Sequence, residues 1–472
     1  MDKRRKRGRG IKMRKDMKLL DYFFSPKSVA IIGASPQERS IGKAIAENFI
    51  GGEFKGAIYP VNPKHKTLFG KRCYASVKAI PRAVDAAVIA VPAKFVPQVV
   101  RECGEASVKA VTIISAGFNE VGNAKLTAQL QGVLDKYKNK MRVIGPNCLG
   151  TLDTKSGVDM LFLPRSRLGR PGKGVVSFIS QSGALGSAIL DWDAMKGYGI
   201  NKFVSYGNAM DVDEADLVEY LAQDKSTDVV VVYIEGVRDG KKFFRVAKKM
   251  GNKKPIIAIK GGLTEGGAKA AHSHTGSLAG AAEVYSAVFT QANIVHAKTM
   301  EEVFDFARVF STEPAPRGKR VQIITDGGGY GVLGTDALLD NGMKMAKISA
   351  KTRKFIEKNS PDYAVIRNPI DLTGDADNKR YEMAISAVLA DKNVDMLLLV
   401  LLFQVPTLEK GIVDSVYKVL KGRKKPVVVM SAGGTYSEKQ RMALEKKGIS
   451  TFISPFDSAR SLKALVDYYV ER

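Results

Sequence analysis

The chain has 472 residues, of which 45% are hydrophobic and 26% charged, enough for two to four domains with full cores and unlike a disordered protein. It has no run of 18 apolar residues, and no apolar core follows the basic start MDKRRKRGRGIKMRKDMK, so neither a membrane-spanning nor a secreted protein is expected; the expected compartment is the cytoplasm. The net charge is +26, of which residues 1–18 carry +8 and the rest +18, an excess that favours anionic partners such as nucleotides and phosphates.

Residues 1–18 read as a basic, disordered, solubilising arm. No zinc-finger or aromatic RNP pattern supports a nucleic-acid partner. After the arm come continuous apolar runs that end in Gly, Ser or Asn and precede helix-length segments: SVAIIGAS (28–35), AIYPVN (57–62), AAVIAVPA (86–93), AVTIISAG (110–117) and RVIGPN (142–147). Strands buried on both faces and spaced by helices predict a doubly wound, mostly parallel α/β sheet. A second set opens at GVVSFISQSG (174–183) and continues through NKFVSYGN, DVVVVYIEG, KPIIAIKGG and NIVHA. A third opens at RVQIITDGGGYG (320–331), continues through VDMLLLVLLFQ and KPVVVMSAGG, and closes at GISTFISP. Gly- and Pro-rich basic linkers at 166–174 and 312–319 separate them. The expectation is three consecutive Rossmann- or flavodoxin-like domains over residues 19–165, 174–311 and 319–472.

Each set begins with a strand that runs into a small-residue loop and then a helix: IIGASPQERSIGKAIAENF, FISQSGALGSAILDW and IITDGGGYGVLGTDALL. Backbone N–H groups converge there with the positive end of a helix dipole, which makes an anion site. In the first domain, Gly33, Ala34, Ser35 and then Gly42 do not spell the dinucleotide fingerprint. The second strand ends in Asn62-Pro63-Lys64-His65-Lys66 where an NAD site places an acid. NAD is disfavoured; lysines there suit a phosphorylated ribose, as in NADP or coenzyme A. Gly262 and Gly267 have P-loop spacing, but Ala268-Lys269-Ala270 follows, so that route to ATP is excluded.

The series IIGAS, YPVNPK, VPA, ISAGF and IGPNCLG, then FISQSGALGSAILDW, YIEGVRDG and AHSHTGSLAG, resembles the α subunit of the ADP-forming acetyl-CoA synthetases, relatives of succinyl-CoA synthetase, from about residue 22 to the end. The resemblance implies a CoA-binding domain followed by two ligase domains. It implies CoA held by Gly33, Ala34, Ser35, Asn62, Pro63, Lys64, Val91, Pro92, Ala93, Ser115, Ala116 and Gly117, with Asn147 near the thioester. The family's single-chain members also carry an ATP-grasp portion, which this sequence lacks. A separate ATP-grasp β subunit is therefore expected, in an α2β2 heterotetramer, carrying ADP or ATP with Mg²⁺.

The stretch AAHSHTGSLAG (270–280) holds two of the four histidines among small residues that neither crowd nor fix an imidazole. The resemblance implies that His274 becomes phosphorylated while His272 merely precedes it. A neutral imidazole is a good nucleophile near pH 7, and its phosphoramidate is reactive enough to pass the phosphoryl group on. A carboxylate should hold the other ring nitrogen. Glu235, at the end of the strand in YIEG, is the candidate, because the sites of open sheets gather at carboxyl strand ends. The phosphoryl group would rest between Ser180-Gln181-Ser182-Gly183 and Gly327-Gly328-Gly329-Tyr330-Gly331. A His-x-His metal site lacks a third ligand of recognisable spacing, so no metal is expected on this chain. His65 reads as part of the basic strand end, His296 as structural, and Cys73, Cys103 and Cys148 as reduced thiols, with Cys148 inert. The expected activity is interconversion of acyl-CoA, ADP and phosphate with acid, CoA and ATP. The competing expectations are a non-catalytic CoA-binding regulator and, less favoured, an NADP oxidoreductase.

Overall fold

The computed structural model describes residues 15–267, 269, 282–409 and 411–471. The chain forms two compact units. One comprises residues up to Lys254 together with Lys260–Val288, and the other Pro255–Ile259 with Phe289–Arg472.

In the first unit, five parallel strands make the first sheet: β1 (Ser28–Ile32), β2 (Ala57–Val61), β3 (Ala86–Ile89), β4 (Ala110–Ile113) and β5 (Arg142–Ile144), in the order β2-β1-β3-β4-β5. β1, β3, β4 and β5 are buried along their whole length, as continuous Val, Ile and Ala runs require when helices cover both faces. Chain order reverses beside β1, because β2 lies on one side and β3 on the other. A crevice opens there at the carboxyl ends of the strands, where such folds bind ligands.

The same unit continues with β6 (Gly150–Asp153), β7 (Val158–Asp159), β8 (Gly172–Ser180), β9 (Gly199–Ser205) and β10 (Val229–Ile234), ordered β10-β8-β9-β6-β7. β8 pairs in parallel with β9 and β10. β6 and β7 correct the sequence expectation: residues assigned to the first domain pair antiparallel with β9 and with each other, and so extend the second sheet. They were illegible because each strand is short, and Gly-Thr-Leu-Asp reads as a loop. The expected linker 166–174 likewise ends in strand, since β8 begins at Gly172. β8 is the second switch point, with β9 and β10 on opposite sides of it.

An ion-pair network joins the two sheets. The Arg142 guanidinium at the start of β5 meets Asp211 at 3.0 Å and Asp216 at 2.8 Å, and Lys242 Nζ meets Asp216 at 2.8 Å and Asp213 at 2.7 Å. Asp213 caps the helix Glu214–Gln223 by accepting from Asp216 N. The network therefore sets where that helix begins.

The end of the expected basic arm is structured. Lys15–Lys18 form a helical turn, and the side chains of Met17, Leu20, Phe23 and Phe24 are buried.

In the second unit, β11 (Ile256–Lys260) pairs in parallel with β12 (Val295–Ala297). The third sheet consists of β13 (Arg320–Thr325), β14 (Lys344–Met345), β15 (Val365–Ile366), β16 (Ile370–Asp371), β17 (Met396–Val400), β18 (Val427–Met430) and β19 (Ser450–Phe452). Its order is β15-β16-β13-β17-β18-β19, with β14 also on β13; all pairs are parallel except β15 with β16. The fold is α/β, with the doubly wound, mostly parallel sheets that the apolar runs predict. Among the described residues no helix is long and apolar enough to cross a membrane.

Candidate active site

The residues expected to hold CoA sit together at the carboxyl edge of the first sheet. Gly33 follows β1 with φ +96°, and a β-carbon there would lie 2.3 Å from the Ala90 carbonyl oxygen. Gly42, near the start of the helix Ile41–Ile50, has its Cα face against the Gly33 carbonyl, where a β-carbon would come within 2.0 Å. Asn62, after β2, bridges the loops: its amide nitrogen donates to Ala34 O at 2.8 Å and its side-chain oxygen accepts from Lys64 N at 2.9 Å. Pro63 and Lys64 are exposed beside it. Val91, Pro92 and Ala93 follow β3, and Ser115 Oγ donates to Val91 O at 2.5 Å. Ser115 O in turn accepts from Asn147 N at 3.0 Å, which brings Asn147 (φ +58°) onto the same edge as Ala116 and Gly117. The result is a rim of backbone groups with the exposed Lys64 on one side, suited to an anionic ligand.

This close approach makes a prediction. Gly42→Ala forces the helix off β1 and is expected to cost about 1–3 kcal/mol. Denaturant unfolding checks the cost, and CoA affinity measured by calorimetry should fall with it.

At the second switch point the side chain of Gln181 organises the site. Its Oε1 accepts from Glu235 N at 2.8 Å, Gly236 N at 3.1 Å and Tyr206 Oη at 3.3 Å, and Gln181 N donates to Tyr233 O at 3.2 Å. The end of β8 is thereby tied to the ends of β9 and β10. Ser182 caps the helix Gly183–Lys196 by accepting from Leu185 N at 3.2 Å, and Ser180 Oγ donates to Ser182 O at 2.6 Å. The remaining N–H groups of the first turn face the loop, as an anion site requires.

Glu235 is 7% exposed, and its Oε2 has no partner among the described residues. Burial pushes the Tyr233 phenol up, and the nearby charge of Glu235 adds to the shift. The backbone oxygen of Glu235 accepts from the buried Lys260 Nζ at 2.8 Å, and that ammonium also lies 4.7 Å from the Tyr285 ring centre. Burial holds the Lys260 ammonium below its ordinary range, partly offset by Glu235. Glu235 thus combines a fixed backbone with one carboxylate oxygen available to an N–H donor.

A cavity of about 440 Å³ lies at these strand ends, lined by Gln181, Tyr206, Asn208, Glu214, Gly236 and Arg238 among others. Arg238 clips its wall by donating to Ala209 O at 2.7 Å and Met210 O at 2.8 Å. Asn208 accepts from the Asn147 amide at 3.3 Å and donates to Glu120 at 2.5 Å, which joins this cavity to the rim of the first sheet. Sequence reasoning singled out neither Tyr206, Asn208, Glu214 nor Arg238. The one signal was DVDEADL after a buried strand, an acid-rich helix start.

In the second unit, Gly327 caps the helix Gly328–Asp340 without a side-chain bond, so Gly328, Gly329, Tyr330 and Gly331 form its first turn rather than a loop. Thr325 Oγ1 accepts from Gly327 N at 2.9 Å. Asp326 beside it is buried and pushed up to about 6 by that burial, with repulsion from Asp371 adding to the shift. The N-terminal N–H groups remain unclaimed by any side-chain cap, which suits an anion.

His272 and His274 lie outside the described residues. His296 packs edge-on against Phe289 at 5.1 Å, and burial lowers its basicity, in keeping with a structural histidine. All three cysteines are free and buried. Burial pushes the Cys148 thiol up to about 12, which leaves it a poor nucleophile.

Three family models match in order: CoA binding domain over residues 27–154, Succinyl-CoA ligase like flavodoxin domain over 173–310, and Ligase-CoA domain over 321–466. The chain is 41% identical over 457 residues to the alpha subunit of ADP-forming acetate–CoA ligase II of Pyrococcus furiosus, covering 95% of this chain and 97% of that one. It is 43% identical over 453 residues to ADP-forming acetate–CoA ligase of Methanocaldococcus jannaschii, and there it spans only 63% of the relative. Among solved structures, dinucleotide-forming acetyl-coenzyme A synthetase 1 of Candidatus Korarchaeum cryptofilum, in complex with phosphate and ADP, superposes with a TM-score of 0.89 at 38% identity, covering 95% of this chain and 96% of that chain. With the ordered domains, the strand-end rim and the Gln181 site all in one chain, this protein belongs to the family of ADP-forming acetate–CoA ligases and is of their alpha-subunit type.

Proposed function

We propose that the chain, with a partner subunit, interconverts acyl-CoA, ADP and phosphate with the free acid, CoA and ATP. In this reading residues 19–165 contribute the CoA site, 174–311 the histidine segment and 319–472 the second ligase domain, with β6 and β7 serving the second sheet. CoA lies along Gly33–Ser35, Asn62–Lys64, Val91–Ala93 and Ser115–Gly117, with its thioester near Asn147. Phosphate rests on Ser180, Gln181, Ser182 and Gly183 and attacks the thioester carbon, releasing CoA and forming an acyl phosphate. A ring nitrogen of His274 then attacks phosphorus, and the acid leaves as carboxylate. Glu235 accepts a hydrogen bond from the other ring nitrogen and stabilises the cationic phosphoimidazole. The Gly327–Gly331 turn, by the resemblance a second phosphate loop, contributes the N–H groups of Gly328 and Gly329, since Gly327 N and Gly331 N already donate within the loop.

ADP then takes the phosphoryl group on an ATP-grasp β subunit, in an α2β2 assembly in the cytoplasm. Mg²⁺ is assigned to the nucleotide on the partner, where it would neutralise phosphate charge.

The observation that carries this reading is the Gln181 hub, which fixes Glu235 beside a helix N-terminus and leaves one carboxylate oxygen open. Incubating the full chain with acetyl-CoA and labelled inorganic phosphate tests it. Acid-labile, alkali-stable phosphate on the protein is the expected result. CoA binding without any such label would make the chain a non-catalytic CoA-binding protein and overturn the reading.

A further inference from the structure

The cavity at the second switch point contains a carboxyl group with no part in the steps above. Glu214 is the first residue of the helix Glu214–Gln223 and is 1% exposed. Its Oε1 has no hydrogen-bond partner among the described residues, yet the residue lines the 440 Å³ cavity with Gln181 and Asn208. Buried carboxyl oxygens in folded proteins are nearly always paired, so an unpaired one facing a cavity needs a reason.

The groups around it are few. The backbone of Glu214 and Arg238 favours its charged form. Asp213, on its own element, repels charge on it, and Lys242, from the helix Gly240–Gly251, attracts it. Tyr206, after β9, lines the same cavity, and it and Tyr285 from the helix Ala282–Gln291 feel the charge of Glu214, Tyr206 that of Glu235 as well. Burial outweighs the attractions and pushes Glu214 up to about 7, with Asp213 adding to the shift. Such a group both holds and releases a proton near neutral pH, where proton transfer is most effective.

Position gives the proton a destination. If CoA and phosphate bind as proposed above, on which this inference rests, the cavity lies between Asn147, bonded to Asn208, and the Gln181 loop. The thioester and phosphate meet across it. We propose that Glu214 is a catalytic residue that protonates the departing sulfur of CoA while phosphate attacks the acyl carbon. A phosphate oxygen bonds to the acyl carbon, the carbon–sulfur bond breaks with its electron pair on sulfur, and the Glu214 proton makes the thiol. The proton of the newly attached phosphate group then passes to the Glu214 carboxylate. The products are an acyl phosphate dianion, the CoA thiol and a reprotonated Glu214, so hydrogen phosphate dianion and thioester balance them.

The test compares two donors on the full chain. With acetyl-CoA and labelled inorganic phosphate, Glu214→Gln, which keeps an N–H donor but transfers no proton, is expected to slow protein labelling by on the order of 10²-fold. With labelled acetyl phosphate no thiolate leaves, and the same variant is expected to label within about threefold of the native rate, which also reports that it has folded. The native rate from acetyl-CoA should fall as pH rises through about 7, because the protonated acid is required, and this limb should vanish in Glu214→Gln. Glu214→Asp should restore part of the rate and the pH limb. Equal labelling of native and Glu214→Gln chains from acetyl-CoA, or equal loss from both donors, overturns the inference while leaving the functional reading standing. Absence of label on the native chain from either donor overturns both.

Discussion

His274→Ala is expected to take up no acid-labile phosphate from acetyl-CoA plus phosphate or from acetyl phosphate, and acyl-CoA synthesis assayed with an ATP-grasp partner is expected to fall by on the order of 10³-fold or more. The effect is large because the covalent intermediate on His274 is lost with its ring nitrogen. His272→Ala keeps most of the label. The two histidines are separated by a single serine, so the pair of variants divides a nucleophile from a neighbour that shares its small-residue surroundings. Label surviving in His274→Ala and vanishing in His272→Ala would reverse the assignment.

Arg142→Ala is expected to lower unfolding stability by about 3–5 kcal/mol, seen as a shift of the urea midpoint, because it takes the guanidinium from the largely buried Asp211 and leaves Asp216 to Lys242. Burial already pushes Asp211 up against the pull of Arg142, so the lone carboxyl takes up a proton more readily in the variant. The added loss is therefore expected to be greater at pH 8, where that proton must be given up, than at pH 5. Arg142→Lys recovers little, since a single ammonium cannot reach two carboxylates with the planar fork that Arg142 uses. The helix Glu214–Gln223 starts from Asp213, which shares Lys242 with Asp216, so the cavity at the second switch point should loosen as well. CoA-dependent labelling is the measurement that detects this, and its fall should exceed any loss from acetyl phosphate.

Much of this architecture was readable from residue order. The runs SVAII, AAVI and VVVVYI are apolar over their whole length, and only strands covered on both faces ask for that pattern, so the parallel sheets followed directly. The rim residues were named through the family resemblance; the fold adds that Gly33, Asn62, Val91, Ser115 and Asn147 follow such runs, whose ends a doubly wound sheet gathers on one edge. Motif order also carried the family.

Other features needed the chain folded. β6 and β7 join the second sheet through antiparallel pairing with β9, a choice made by an edge some fifty residues further along and not by Gly-Thr-Leu-Asp itself. Gln181 reads as one polar residue in a small-residue loop, and its three hydrogen bonds exist only because three strand ends converge on it. Glu214 reads as one of several acids opening a helix. Local order predicts an exposed, ionised side chain favoured by the helix dipole, whereas burial in the fold removes water from it and leaves an unpartnered oxygen at a cavity. Hydrophobic periodicity is a property of neighbouring residues and survives in the linear chain. Desolvation and the pairing of distant polar groups depend on what packs around them, and so arise with the fold alone.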